Sequence, residues 1–205
     1  MDKLEICNLA LSHIYKNPLV NFDNDTTTEA KVCRQHFQPF LDLFTSSIIW
    51  ESLTEFITLS KFADIDQTIE TENPFKYRYH YPTEIVRMIS INNYTGTGSD
   101  PFFNRKRIGT ERYIDTNEAS PRAYVVKRVT DPLIMDDHIS YAFSYYFALH
   151  IYKFEGMSSG SSSSLEARLE REYKKARNMA ANLELLQNNR GEQEKVGDVL
   201  RARVF

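Results

Sequence analysis

The sequence predicts a mainly α fold of the α+β class: a bundle of about four to five helices, a small inserted antiparallel β element and an extended C-terminal tail. Three observations support this prediction. Apolar residues recur at helical spacing before residue 64 and again after residue 136. Short runs bounded by Gly, Pro, Asn and Asp occupy residues 88–129 and are typical of strands. Residues 190–205 contain few apolar side chains and cannot bury enough surface to fold alone.

Composition allows one substantial core and limits the classes of partner. The chain has 205 residues, of which 41% are apolar and 13% aromatic, so one bundle domain over residues 1–189 is expected. The formal net charge is −3, which gives no whole-chain attraction for nucleic acid or anionic membranes. No uninterrupted run of about 18 apolar residues occurs, so no membrane anchor is expected.

The N-terminal part predicts two helices. A first, short helix is indicated by apolar residues that recur every three or four positions: Leu4, Cys7, Ala10 or Leu11, and Ile14. Thr26 and Glu29 have the spacing of a capping box, in which the two side chains satisfy free backbone amides, so a second helix is expected to start there. The apolar stripe of this second helix is Ala30, Cys33, Phe37, Phe40 or Leu41, and Phe44.

Three further expectations concern the same part of the chain. Pro39 is expected to kink the second helix because proline lacks an amide donor. Cys7 and Cys33 lie on apolar helix faces, where buried free cysteine is favoured over a disulfide or a metal ligand. Residues 48–63 are interpreted as a further helical segment that places Trp50 in the core.

The β element is predicted from alternation and from turn residues. In residues 76–81, tyrosines alternate with Lys, Arg and His, which is the two-residue period of a strand. The favoured interpretation places the tyrosines in a core and the charges in solvent; the alternative is a surface that stacks and neutralises nucleic acid. Residues 88–129 predict three or four short antiparallel strands. They also form the one locally basic region, with Arg105, Lys106, Arg107, Arg112, Arg122, Lys127 and Arg128.

The C-terminal part predicts two more helices and a tail. Asp136 or Asp137 can cap a helix over about 137–154 that is apolar on nearly all sides, as expected in the middle of a bundle or at a subunit boundary. A long amphipathic helix follows over about 165–188 and is expected to end at Gly191. The tail, residues 190–205, would then need a groove on another molecule.

Catalytic and cofactor motifs are absent from the sequence. The five histidines show no metal-ligand spacing, and no phosphate-binding glycine loop or nucleophile elbow is present. The chain is therefore expected to be non-catalytic, with no cofactor and no metal. A pair of carboxylates for glycoside hydrolysis could be assembled from an acidic stretch, but nothing in the sequence fixes two of them at a working separation. Its members are Glu51, Glu55, Asp64, Asp66, Glu70 and Glu72.

The order of segments resembles a known family. ICNLALSHI is followed by EAKVCRQHFQPFLDLFTSSIIWESL, then by PFKYRYHYPTEIVRMISI, a β-rich stretch, the aromatic helix and LEREYKKARNMAANLE. This order, over almost the whole chain, is similar to the tail tubular protein A family, the head-to-tail adaptors of T7-like podophages. The residues that match the motifs of that family are Ala30, Cys33, Trp50, Tyr79, Tyr81, Pro82 and Arg87. The chain departs from the family at Tyr15, which replaces the usual glycine, at WESL, and at Glu84, where aspartate is common.

The resemblance implies a structural virion protein. It implies twelve copies in a ring between the portal and the tail nozzle, assembled in the host cytoplasm and located at the portal vertex of the virion. Viral DNA would pass through the channel without sequence-specific binding. The expected portal-docking residues are Val199, Leu200, Arg201, Arg203, Val204 and Phe205. The residues expected to contact the nozzle or a neighbouring subunit are Arg105, Lys106, Arg107 and Arg112. Two alternatives remain open at this point, a nucleic-acid-binding module and a tail-associated peptidoglycan hydrolase.

Overall fold

The structure, a computed structural model, describes residues 1–66, 68–92, 103–153 and 163–201, without the side chains of residues 163 and 187–201. The chain divides into two compact units. The helical unit comprises Met1–Ser52 and Val129–Phe205, and the sandwich unit comprises the intervening Leu53–Arg128. Among the described residues no helix has the length and apolar character needed to cross a membrane.

The helical unit contains α1 (Lys3–His13), α2 (Thr28–Ser47), α3 (Asp137–Ile151) and α4 (Ser163–Arg201). A capping box starts α1, because the Asp2 carboxylate accepts from the Glu5 amide and the Glu5 carboxylate accepts from the Asp2 amide, both at 2.8 Å. At α2 the cap is Thr27, which accepts from the Ala30 amide, so the predicted Thr26 cap is one residue early. Pro39 lies inside α2.

Helix α3 is the centre of the helical unit, since α1, α2 and α4 all pack against it. Phe143 of α3 contacts Phe37 and Phe44 of α2, with ring centroids 5.5 Å and 5.3 Å apart. Trp50 is fully buried and stacks on Phe44 at 5.4 Å. The predictions of a buried α2 stripe, a buried Trp50 and a central apolar helix are confirmed. The two cysteines are buried and free, also as predicted.

The sandwich unit contains seven strands among its described residues, all paired antiparallel. The strands are β1 (Thr54–Thr58), β2 (Lys61–Asp64), β3 (Tyr77–His80), β4 (Ile85–Ile91), β5 (Phe103–Ile108), β6 (Glu111–Thr116) and β7 (Arg122–Lys127). One sheet has the order β1-β7-β4 and the other β2-β3-β6-β5. Apolar residues from both sheets form one core, including Met88 and Val125 from the first and Tyr79 and Ile114 from the second. The strands predicted at 76–81 and within 88–129 are confirmed.

The predicted fold class is wrong in three respects. The β part is a separate seven-stranded unit that begins at residue 53, and not a small element inserted into a bundle. Half of residues 48–63, predicted to be helical, lie in β1 and β2. Thr54, Phe56 and Ile57 favour strands, and pairing with β7 decides their conformation. Residues 190–201 of the predicted extended tail are helical, because α4 continues through Gly191 to Arg201. One glycine in a helix interior lowers helix stability by only about 1 kcal/mol relative to alanine, so a single glycine need not end the helix.

Candidate functional site

The predicted portal-docking residues lie at the end of α4 and beyond it. Val199, Leu200 and Arg201 are in the last turn of the helix, and their side chains are outside the described part. Arg203, Val204 and Phe205 lie outside the described residues. The described part of this region, up to Arg201, is helical, whereas the sequence predicted an extended tail.

Of the four basic residues predicted as a contact surface, Arg105, Arg107 and Arg112 lie on one face of the sheet, since Arg107 is paired opposite Arg112, and Lys106 lies on the other face. Arg105, Lys106 and Arg107 are consecutive on β5, so their side chains alternate between the two faces of the sheet. The Arg105 guanidinium donates to the Met88 carbonyl at 2.9 Å, and that of Arg107 donates to the Gly109 carbonyl at 3.3 Å. The Arg112 guanidinium lies over the Tyr81 ring, 4.9 Å from its centroid. Each of these cations therefore has a partner within the sandwich unit.

The outer face of the four-stranded sheet carries a buried charge network around Arg78. This residue is 7% exposed, which contradicts the expectation that all charges of this strand face solvent. Its guanidinium donates twice to the Asp115 carboxylate, at 2.7 and 2.8 Å, and twice to the Glu70 carboxylate, both at 2.8 Å. Asp115 is 1% exposed, so its charge depends on this pairing.

The loop before β3 covers this network. Glu70 also pairs with the Lys106 ammonium, and the Asn73 amide donates to Asp115 at 2.8 Å. A cleft of about 450 Å³ lies beside these groups, lined by residues 69–74 together with Asn104 and Lys106. The hydrogen bonds from Arg78 hold the pKa of Glu70 well below its usual range, so this carboxylate stays ionised at neutral pH. The network is suited to fixing the loop on the sheet and not to donating a proton.

The tyrosines of β3 are core residues, as the favoured interpretation predicted. Tyr79 is 1% exposed, and its hydroxyl contacts the carbonyls of Glu118 and Ala119 at 2.8 and 2.9 Å. Tyr77 packs against the same core. Neither ring is therefore presented as a platform on which bases could stack.

A second group, which sequence reasoning missed, lies where α1 meets α3 and α4. The His13 ring stacks on Tyr145 with centroids 3.8 Å apart, and its Nε2 lies 3.2 Å from the Ser144 hydroxyl. Arg168 of α4 donates to the His13 carbonyl at 2.8 Å and to the Tyr15 hydroxyl. Burial, together with the nearby Arg168, lowers the pKa of His13 to about 4. His13 is thus neutral at physiological pH and acts as an aromatic packing residue.

Tyr15 has a left-handed backbone with φ of +58°. The amides of Tyr15 and Lys16 donate back to the carbonyls of Ser12 and Leu11 at 3.1 and 3.0 Å, which is the hydrogen-bond pattern of a Schellman motif. Glycine is the residue most often found at this position of the motif because it has no Cβ to strain. Tyr15 is retained there by the Arg168 guanidinium, which lies 4.9 Å from the centroid of its ring.

No protein-family model and no curated protein matches this sequence. The structure itself defines the class: this is an α+β protein of two compact units. Its described polar clusters, around Arg78 and around His13, stabilise local structure. Of the six carboxylates considered for hydrolysis, Glu70 pairs with Arg78, Glu55 with Lys127 at 3.0 Å, and Asp64 with Lys61 at 2.6 Å. Three of the six carboxylates are therefore held in ion pairs within the sandwich unit.

Proposed function

We propose that this chain is a non-catalytic structural subunit of a podophage head-to-tail adaptor, one copy in a ring that extends the DNA channel between the portal and the tail nozzle. The observation that carries the proposal is the length of α4 relative to the helix against which it packs. A helix that continues far beyond its own bundle is suited to binding another subunit.

Three contacts define the α3–α4 pair as an antiparallel hairpin. Lys153 pairs with Glu166 at 2.6 Å, the rings of Tyr146 and Tyr173 lie 5.4 Å apart, and His138 lies 3.5 Å from Glu184. The start of α3, at Asp137, is thus level with Glu184. Residues 185–201 continue α4 for about 25 Å beyond that level. Helix α3 therefore supplies no partner for this arm, which we define as residues 185–201.

The beginning of the arm exposes apolar side chains. Leu185 and Leu186 are 60% and 58% exposed, and Met179, about two turns earlier, is 62% exposed. An isolated helix of this length is marginal in water, so packing against a partner would stabilise it. In the proposed ring, the arm contacts a neighbouring subunit or the portal, in place of the extended tail expected from the sequence.

The residues that carry the family resemblance have structural roles in this chain. Ala30, Cys33 and Trp50 are fully buried in the helical unit, and Tyr79 is buried in the sandwich core. Tyr15, where the family usually has glycine, is the left-handed residue that ends α1. A left-handed position is where glycine is physically favoured, so this departure is compatible with the same local backbone. These residues therefore have packing and backbone roles that are compatible with the resemblance.

Helix α3 gives less reason for assembly than its apolar sequence suggested. Helix α3 buries Phe143 and Phe147 within the helical unit, where α1, α2 and α4 pack against it, and of its aromatic side chains only Tyr141 is exposed. The proposal rests on the arm and not on α3.

The test is the mass of the assembly. The purified chain, 23.9 kDa, is examined by light scattering alone and after mixing with portal rings from the genome that encodes it. We expect about twelve copies per portal ring, and loss of this binding in a chain truncated after residue 189. A matched control, Glu170→Lys on the solvent face of α4 before the arm, should bind normally. Failure of the full-length chain to bind portal rings, or undiminished binding by the truncated chain, contradicts the proposal.

The two alternatives have less support. The sandwich unit contains 11 Lys and Arg against 10 Asp and Glu, and its cations are largely engaged, so a nucleic-acid surface is not favoured. Binding to DNA that weakened steeply with salt would favour it instead. The hydrolase alternative would require that the protein degrades peptidoglycan and that substitution of one carboxylate abolishes this activity.

A further inference from the structure

Three potential metal ligands converge between the start of α3 and the middle of α4. They are the carboxylate of Asp136, the imidazole of His138 and the carboxylate of Glu184, whose ligand atoms all lie within 4.8 Å of one another. Sequence spacing predicted no metal site, because Glu184 is far from the other two residues along the chain. The antiparallel α3–α4 hairpin brings the three together inside the helical unit.

The imidazole of His138 has an unused nitrogen in this group. Its Nε2 is buried from solvent and has no hydrogen-bond partner. Glu184 Oε1 lies 3.5 Å away, which is long for an N–H···O hydrogen bond. Bonds of about 2.0–2.1 Å from one Zn²⁺ at tetrahedral angles would place two ligand atoms roughly 3.3 Å apart. The Nε2–Oε1 separation of 3.5 Å is close to that value, and a small approach of the Asp136 carboxylate, which lies within 4.8 Å, would complete a three-ligand group.

The two carboxylates have the properties of ligands as well. Glu184 is 5% exposed, and its oxygens accept from the Ser52 hydroxyl at 2.9 Å and from the Ser52 amide at 3.1 Å. Hydrogen bonds of this kind orient a metal-binding carboxylate. Asp136 occupies the N-cap of α3, but its side chain makes no capping hydrogen bond. Its carboxylate is therefore not engaged in the role that aspartate usually has at this position.

We propose that Asp136, His138 and Glu184 bind a divalent transition-metal ion of the Zn²⁺ type, which fastens α4 to the start of α3 below the arm. Two carboxylates and a neutral imidazole give the site a formal charge of −2, which a divalent cation compensates. The ion would satisfy the His138 Nε2 and fix the point from which the arm extends. The site would be structural, and it does not depend on the proposed adaptor function.

The experiment measures Zn²⁺ binding to the full-length chain by isothermal titration calorimetry at neutral pH, after treatment with a chelator. We expect one Zn²⁺ per chain. Loss of an outer-sphere partner alone weakens metal binding about 10- to 100-fold, so loss of a ligand in His138→Gln or Glu184→Gln should weaken it at least about 100-fold. The control His80→Gln changes an exposed histidine of the sandwich unit and should leave binding unchanged.

A second readout separates ligand loss from misfolding. Co²⁺ replaces Zn²⁺ and gives a visible absorption spectrum that depends on its coordination, while far-UV circular dichroism reports whether each variant keeps its helices. The proposal is supported if the folded His138→Gln chain lacks the Co²⁺ spectrum that the unchanged chain shows. It is overturned if the unchanged chain binds neither ion, or if His138→Gln and Glu184→Gln bind as tightly as His80→Gln.

Discussion

Replacing Arg78 by methionine should destabilise the sandwich unit more than any other single change of a basic residue in its described part. The substitution keeps most of the apolar volume and removes four hydrogen bonds, two to Asp115 and two to Glu70. Asp115 is 1% exposed and would be left as a buried charge with only the Asn73 amide beside it. Breaking a buried ion pair in this way costs about 3–5 kcal/mol.

The double variant Arg78→Met with Asp115→Leu tests the reason for that loss. Replacement of both buried charges by apolar groups is often close to neutral, so the double variant should recover at least about 2 kcal/mol relative to Arg78→Met alone. The matched control is Arg107→Met, which removes an exposed arginine from β5 and should change stability by less than about 0.5 kcal/mol.

Native-state hydrogen exchange is the appropriate assay because it resolves the two units. The amides of β3 and β6 report the free energy of opening of the sandwich, whereas fluorescence of Trp50, the only tryptophan, follows the helical unit. Two results would refute the idea that Arg78 compensates the buried charge of Asp115. One is a decrease of less than about 1 kcal/mol in the free energy of opening in Arg78→Met, and the other is a double variant no more stable than the single one.

Three further predictions concern the helical unit. Tyr15→Gly should be more stable to heat than Tyr15→Ala by about 1 kcal/mol, since both lose the Arg168 contact and only glycine relieves the φ of +58°; equal melting temperatures would contradict this. Because the pKa of His13 is lowered to about 4 from 6.5, its neutral form stabilises the fold fully above pH 6.5, and about 2–3 kcal/mol is lost as the pH falls to 4. In urea-unfolding experiments, the free energy of unfolding of His13→Gln should depend less on pH between 6.5 and 4, and an unchanged dependence would exclude His13 as its source. Phe143→Ala should cost about 3–5 kcal/mol in Trp50-detected unfolding, since it opens a cavity at the centre of the unit, and a cost below 1 kcal/mol would mean that α2 and α3 do not share a core.

Local patterns in the sequence were sufficient to locate α1, α2, α3 and the start of α4, though not the end of α4 or the absence of a helix at residues 54–63. The stripe from Ala30 to Phe44 identified the buried face of α2, because residues three and four apart lie on one side of a helix. The apolar composition of α3 likewise predicted a central position. These features depend on neighbours within a few residues, which periodicity captures.

Features that depend on distant partners were not predictable. The segment of β1 has apolar spacing compatible with a helix, and its conformation is decided by pairing Phe56 with Tyr124, far along the chain. Arg78 is buried because Asp115 and Glu70 neutralise it, and no local signal indicates that pairing. The convergence of His138 with Glu184 is of the same kind, since it exists only once the hairpin has formed.

The division of the chain has a consequence for its synthesis. The sandwich unit is one continuous segment, complete once residue 128 has left the ribosome, whereas the helical unit is built from two segments on either side of it. Helices α1 and α2 are made early, but α3, which covers their apolar faces, is made about a hundred residues after α2 begins. During that interval the apolar faces of the nascent helices α1 and α2 are exposed to chaperones and to other nascent chains. The sandwich is thus expected to fold first on the ribosome, and the helical unit only after α3 and α4 have been made.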